Sequence, residues 1–186
     1  KVFSDINRKT MRNLVILTLP TILLLIACER TEDISFEEWD KDEDNKIDRI
    51  EFRETFTRHY FSDWNDKDND YLDDEDLYQG IFGKIDQNND KYLTEAEWLE
   101  SVEYWYAEYA VIEFDSTDAD ADGRVGMAEF TDNDNLVDFY ENWDTNKEDE
   151  LLTEDELAAG LFSLWDVDKS GYIEETEYQN LKGQYL

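Results

Sequence analysis

Acidic residues in this chain alternate with other residues in short blocks, and the blocks repeat along its length. Four blocks share one twelve-residue frame, with an oxygen-bearing side chain at positions 1, 3 and 5, an apolar residue at 8 and a carboxylate at 12. Asp40, Asp42, Asp44, Ile47 and Glu51 fit it, and so do Asp86, Asn88, Asp90, Leu93 and Glu97. The third set is Asp118, Asp120, Asp122, Val125 and Glu129, and the fourth is Asp166, Asp168, Ser170, Ile173 and Glu177.

These blocks resemble the twelve-residue loop of the EF-hand superfamily, and that resemblance gives the spacing a direct chemical reading. Alternate residues of a tight loop point inward, so positions 1, 3 and 5 converge. Position 7 adds a backbone carbonyl, here that of Lys46, Tyr92, Arg124 or Tyr172. Position 12 opens a helix, and its Glu brings two more oxygens. Six to eight hard oxygens are what Ca²⁺ takes. Position 6 needs a positive φ, which Gly123 and Gly171 adopt freely and Asn45 tolerates. Lys91 departs from that rule.

The flanks test the frame independently. Four residues before position 1 stand Phe36, Phe61, Phe82, Phe114, Tyr140 and Phe162, and one residue before it Trp39, Trp64, Ile85, Thr117, Trp143 and Trp165. These aromatic positions add two irregular loops. The second loop reads Asn65, Lys67, Asn69, Leu72 and Asp76, with a cation where a ligand belongs. Shifting it to Asp66, Asp68 and Asp70 leaves Asp76 one residue early. The fifth begins Asp144, Asn146, Glu148, and its closing acid by helix register is Glu156, one residue late. We expect loop two to be kept for packing and loop five to retain some metal binding. Loops with these flanks resemble the EF-hand superfamily. The resemblance implies an all-α fold of six helix-loop-helix motifs and a calcium-binding role.

Position 1 falls at residues 40, 65, 86, 118, 144 and 166, so steps of 25 and 21 recur as 26 and 22 across a longer gap of 32. That is a duplicated three-loop unit, 35–105 and 106–186. Asp76-Leu77-x-x-Gly80-Ile81-Phe82 matches Glu156-Leu157-x-x-Gly160-Leu161-Phe162. The gaps are too short for two helices each, so one helix leaves a loop and enters the next. Thirteen residues of helix span about 20 Å, which sets consecutive loops at opposite ends. We therefore expect loop one to pair with loop three and loop four with loop six, leaving two and five without a partner within their own unit. Between Trp98 and Thr117 the apolar seam Trp98, Val102, Trp105, Tyr109 and Ile112 predicts one long helix whose aromatic face is core. Ser35-x-x-Glu38 predicts a capping box, and a further helix start is expected near Asn133.

Composition excludes several functions. The formal charge is −33, with 50 acids against 17 bases, which repels nucleic acid and anionic lipid. One Cys excludes an internal disulfide framework or a cysteine-based zinc site. The acids are accounted for as metal ligands, leaving no carboxylate pair for glycoside chemistry, so no enzyme activity is expected. The lone His59 reads as a surface residue. Met11 and Met127 are the only methionines, which argues against a Met-rich target groove and towards a buffer or scaffold rather than a sensor.

Residues 1–27 read as a secretory signal, with a basic start and an uncharged run from Leu14 to Ala27. The run is short for a membrane span. It ends in Leu25-Ile26-Ala27-Cys28, which resembles the bacterial lipobox and implies lipidation of Cys28. Met11 is read as the start of translation and residues 28–34 as a tether. The chain from Cys28 carries 13 bases and 49 acids, a formal −36.

The expectation is thus a lipid-anchored, extracytoplasmic protein of a bacterial membrane that binds four to five Ca²⁺ ions as buffer, sensor or metal-stabilised module. The alternative is a lanthanide-binding protein, because the short inter-loop helices resemble those of the lanmodulin family. The likeness is architectural. That family has Pro at position 2, where this chain has Lys41, Asp66, Gln87, Ala119, Thr145 and Val167. An acid at position 9 occurs as Asp48 and Glu174 but not at Thr94 or Gly126.

Overall fold

The structure, a computed structural model, describes residues 34–65, 70–106, 113–132, 140–149 and 151–185. The signal, Cys28 and most of the tether lie outside these residues, as do Lys67, Asn69, Tyr109, Ile112 and Asn133. Residues 31–186 belong to one unit. Among the described residues no helix is long and apolar enough to cross a membrane.

The loop frame decides where helices begin. Ser35 donates its N–H to the Glu38 carboxylate at 2.9 Å and opens α1 (Phe36–Trp39), which forms the Glu38 half of the expected capping box; the Ser35 side chain makes no cap hydrogen bond. Asp48 caps α2 (Arg49–His59), accepting from the N–H groups of Ile50 and Glu51, while Glu51 accepts from Asp48 N–H. Asp73 and Asp76 repeat this reciprocal box at α3 (Asp74–Ile85). Loop position 9 is therefore the N-cap and position 12 the third helical residue. The same contact that satisfies the helix start holds the closing carboxylate still. Helices α4 (Glu95–Tyr106), α5 (Phe114–Thr117), α6 (Met127–Thr131), α7 (Glu154–Trp165) and α8 (Glu175–Tyr185) complete the described set.

Shared helices are present where the gaps are shortest. Helix α3 leaves loop two and is C-capped by Asp86, the first residue of loop three. Helix α7 likewise runs from loop five to Asp166. Helix α2 stops at His59, and a 3₁₀ turn, Phe61–Asp63, completes the approach to loop two.

The single long helix expected from Trp98 to Thr117 does not form. Glu113 is extended (φ −73°, ψ 132°) and starts α5 as a separate turn. The Trp98 and Phe114 rings meet edge to face at 6.0 Å. An unbroken helix would hold their backbones about 24 Å apart. The chain therefore reverses between them. The seam residues Trp98 and Trp105 are core, as expected.

That reversal overturns the expected loop pairing. Strands β2 (Tyr92–Thr94) and β3 (Arg124–Gly126) join loops three and four, with Leu93 opposite Val125. Strands β1 (Tyr71–Leu72) and β4 (Leu152–Thr153) join loops two and five. Ile47 and Ile173 form an isolated bridge between loops one and six. Each pair crosses from one three-loop segment to the other, and loops two and five are each other's partner.

These pairings follow an approximate two-fold relation. Carrying loop one onto four, two onto five and three onto six turns the one–six pair into four–three and leaves two–five in place. Side chains follow it. Phe52 meets Phe162 at 5.6 Å and 82°, and their counterparts Phe130 and Phe82 meet at 5.4 Å and 79°. Phe36 with Tyr178 (5.7 Å, 66°) matches Phe114 with Trp98 (6.0 Å, 74°). The Lys46 ammonium lies 4.5 Å from the Tyr172 ring, and the Arg124 guanidinium lies 4.4 Å from that of Tyr92.

The core is aromatic. Trp39, Trp98, Trp105, Trp165, Tyr178, Phe52, Phe56, Phe130 and Phe162 are enclosed. Each such side chain contributes about 1.5–3 kcal/mol on burial. This is how a chain of such charge can still fold. Two glycines admit the rings of loops two and five. A β-carbon on Gly80 would stand 2.9 Å from Cζ3 of Trp64, and one on Gly160 would stand 2.6 Å from Cε3 of Trp143.

Candidate metal centres

Among the described residues three loops gather three carboxylates each, with one oxygen of every residue within 4.8 Å of the others. The groups are Asp40, Asp42 and Glu51; Asp118, Asp120 and Glu129; and Asp166, Asp168 and Glu177. Position 1 is buried in all three and position 3 is exposed. One side of each cluster thus faces the core and the other faces water.

Backbone N–H groups hold these carboxylates. The closing Glu accepts from position 2 or 3 with one oxygen and from position 9 with the other. Glu51 takes Lys41 N–H at 2.8 Å and Asp48 N–H at 2.9 Å. Glu129 takes Ala119 and Gly126, and Glu177 takes Val167 and Glu174. At position 1, Asp40 accepts from Asp44 and Asn45, and Asp118 from Asp122 and Gly123. Position 6 is left-handed throughout, at Asn45, Lys91, Gly123 and Gly171 (φ 65° to 88°). The sequence reading missed a second left-handed position. Glu43, Asn89, Ala121 and Lys169, all at position 4, have φ between 56° and 61°. None of them is Gly, so no sequence signal marks them.

Loop six differs at one atom. Ser170 N–H turns to Asp168, so Asp166 accepts only from Gly171. Its Oδ1 is buried, with no hydrogen-bond partner among the described residues. A bare carboxylate oxygen in that setting is unfavourable unless something positive meets it. Burial also raises the Glu177 pKa, and the neighbouring Glu174 carboxyl adds to this against the backbone donors. A cation reverses both effects.

Loop three has the same frame with one fewer acid. Asp86 accepts from Asp90 and Lys91, and Glu97 accepts from the Asn88 amide at 3.0 Å and Thr94 N–H at 2.9 Å. Burial pushes the Glu97 pKa up, but the hydrogen bonds from Thr94 and Asn88 outweigh it and hold the group lowered.

Loop five closes on Glu156, as the helix register predicts. Glu156 accepts from Thr145 N–H at 2.8 Å and Thr153 N–H at 3.0 Å. Burial raises its pKa, and the donors of Thr145 and Thr153 outweigh that and bring it to about 2. Asn146 N–H donates to Asp144. Glu148, expected at position 5, does not take that place. Asp149 does, accepting from the Asn146 amide at 2.5 Å and from Leu151 N–H. The latter bond matches Tyr92 to Asp90 and Arg124 to Asp122 in the regular loops. The extra residue therefore lies between positions 3 and 5, and Glu148 is exposed within it. Counting back seven from Glu156, rather than forward from Asp144, finds Asp149 in the sequence.

Loop two keeps its position-8 strand and its closing Asp76, which accepts from Asp73 N–H at 3.2 Å. The Asn65 amide at position 1 donates to the Tyr71 carbonyl at 3.1 Å. Position 7 carbonyls are metal ligands in a binding loop. Here a side-chain N–H meets that carbonyl instead.

Helix-loop-helix units paired through a short strand, with convergent carboxylates, define a metal-binding helical class of protein. Residues 32–57 and 157–182 each match the family model described as EF hand. These segments hold loops one and six, the pair joined at Ile47 and Ile173. Both segments match as EF-hand motifs, and these two matches support the EF-hand calcium-binding superfamily. No curated protein and no solved structure matches it significantly.

Proposed function

We propose that this protein binds four to five Ca²⁺ ions outside the cytoplasm while held to a bacterial membrane by a lipid on Cys28. Buffering, or stabilisation of a binding scaffold, fits it better than target-sensing. Asp40, Asp42, Asp44, Glu51 and the Lys46 carbonyl would hold one ion. Asp86, Asn88, Asp90, Glu97 and the Tyr92 carbonyl would hold another. Asp118, Asp120, Asp122, Glu129 and the Arg124 carbonyl form a third set, and Asp166, Asp168, Ser170, Glu177 and the Tyr172 carbonyl a fourth. In loop five the candidates are Asp144, Asn146, Asp149 and Glu156.

The observation that carries the reading is the buried Oδ1 of Asp166, without a partner among the described residues, inside a three-carboxylate cluster. Hard oxygen donors suit Ca²⁺, whereas Mg²⁺ gives up its water reluctantly. Calorimetric titration of the metal-stripped chain from Cys28 with Ca²⁺, and with La³⁺ alongside, tests it. Four to five ions bound are expected, and a stoichiometry below three would refute the assignment. For the anchor, Cys28→Ser should abolish incorporation of a palmitate analogue. An unchanged lipid signal would remove the lipobox reading.

A further inference from the structure

Two tyrosine hydroxyls grip the backbone just before α1. Ile34 is buried at the edge of the core. Its N–H donates to the Tyr60 hydroxyl at 3.5 Å, and its carbonyl accepts from the Tyr178 hydroxyl. Both tyrosines are buried as well. Ile34 precedes α1, so side chains rather than helical bonds meet its backbone groups. The internal duplication supplies a control. In the other half Ile112 and Phe114 stand where Ile34 and Phe36 do, so the apolar pattern is repeated. The grip is not. Trp98 stands where Tyr178 does, and Phe139, counted back from loop five, stands where Tyr60 does before loop two. Neither residue carries a hydroxyl. The two hydroxyls are thus confined to the copy whose N-terminal side leads to Cys28.

Each hydroxyl stands on a helix that leaves a metal loop. Tyr60 caps the C-terminus of α2, whose first turn holds Glu51, the closing carboxylate of loop one. Tyr178 directly follows Glu177, the closing carboxylate of loop six, and its N–H donates to the Glu174 carbonyl at 3.0 Å. The rings behind the hydroxyls lead to the same two loops. Trp39, next to Asp40, stacks on Tyr60 at 5.7 Å and 14° and meets Tyr178 edge to face at 6.3 Å. Trp165, next to Asp166, lies 6.0 Å from the Tyr178 ring. An ion that draws Asp40 towards Glu51, or Asp166 towards Glu177, therefore fixes the helix starts and the indoles against which both tyrosines rest.

We infer that ions in loops one and six clamp the N-terminal strap at Ile34, so that their occupancy decides whether the segment leading to Cys28 is docked on the fold or released from it. The inference rests on the metal binding proposed above. Release is a local opening, separable from unfolding of the rest of the chain. The coupling is reciprocal, so a docked strap also tightens the ion in loop six.

The test uses the chain from Cys28 in excess Ca²⁺, with amide hydrogen exchange followed by NMR. Ile34 is the reporter, and Leu93 and Val125, opposite one another in the loop three–four pair, are the reference. Glu177→Gln should speed Ile34 exchange by about tenfold or more and leave Leu93 and Val125 protected. Glu129→Gln makes the same change in loop four and should leave Ile34 protected. Tyr178→Phe and Tyr60→Phe each remove one hydroxyl and should speed Ile34 exchange by about tenfold, with the number of bound ions unchanged by calorimetry. If one tyrosine variant loses the Ca²⁺-bound circular dichroism of the fold, the other decides. Fewer than three ions bound by the parent chain would overturn the metal reading itself. Full ion binding with an unprotected Ile34, or with Ile34 exchange that Glu177→Gln leaves unchanged or Glu129→Gln speeds equally, would overturn the strap alone. So would Ile34 exchange unchanged in the folded tyrosine variants.

Discussion

Ile47 and Ile173 exchange both backbone hydrogen bonds at 2.9 Å, tying the first metal loop to the last. An ion that orders loop one therefore also orders the bridge on which loop six rests. We expect Glu51→Gln to weaken the ion in loop six as well as its own. In a double-mutant cycle, Glu51→Gln with Glu177→Gln should show coupling of about 1 kcal/mol or more. Glu51→Gln with Glu97→Gln should be additive within about 0.5 kcal/mol. Calorimetry on the four variants measures this, and an additive first pair would contradict the pairing.

Two glycines on α3 have opposite surroundings. Gly80 faces the Trp64 ring, while a β-carbon on Gly83 would meet nothing within 4 Å. Gly80→Ala must displace a buried indole and should destabilise the Ca²⁺-bound protein by about 1–3 kcal/mol. Gly83→Ala only removes helix-interior flexibility and should stabilise it by about 0.5–1 kcal/mol. Denaturant midpoints in excess Ca²⁺ check both. A stabilising Gly80→Ala would show that Trp64 does not pack as described.

Loop five offers a test of a single register. Asp149 makes the position-5 contacts, and Glu148 is exposed. Asp149→Asn should therefore lower the number of ions bound by about one at micromolar Ca²⁺, while Glu148→Gln should leave it unchanged. The reverse result would restore the uninterrupted count from Asp144. In loop two, where the Asn65 amide already meets the Tyr71 carbonyl, Asp76→Asn should change stoichiometry little.

Metal removal should unfold much of the chain. Carboxylates about 4 Å apart repel by roughly 1 kcal/mol even at the dielectric of water, and each regular loop gathers several. A whole domain is stable by only about 5–15 kcal/mol. Ions that bind the folded state alone restore it by mass action. We expect Ca²⁺ to raise the melting temperature by tens of degrees, and Mg²⁺ by less. Trp39 and Trp165 are buried beside position 1 of loops one and six, so their fluorescence should follow the helical signal with one midpoint. Cooperative melting of the EDTA-treated protein at the Ca²⁺ temperature would refute the coupling.

Much of each loop was legible because its constraints are local. Position 9 caps the helix that position 12 belongs to, so the Asp48-to-Glu51 contact is written within four residues. The left-handed Glu43, Asn89, Ala121 and Lys169 were not legible, because loop closure imposes that conformation on whatever residue stands there. Asp149 was hidden by an insertion that counting from the N-terminal side of the loop could not place.

The sequence by itself pointed to the loop frame, the capped helix starts and the aromatic residues that make the core. All of these depend on residues within one helical turn or one loop of each other. Only the tertiary structure decided which loops pair. That choice turns on a reversal between Trp98 and Phe114, where apolar periodicity continues in the sequence but the backbone breaks at Glu113. Burying Trp98 against Phe114 and Phe130 brings loop four beside loop three, and α2 packs on α7. Periodicity records which face of a helix is apolar. It carries no information on which of several equally apolar faces will cover it, and that is settled by how the whole set of rings can be enclosed at once.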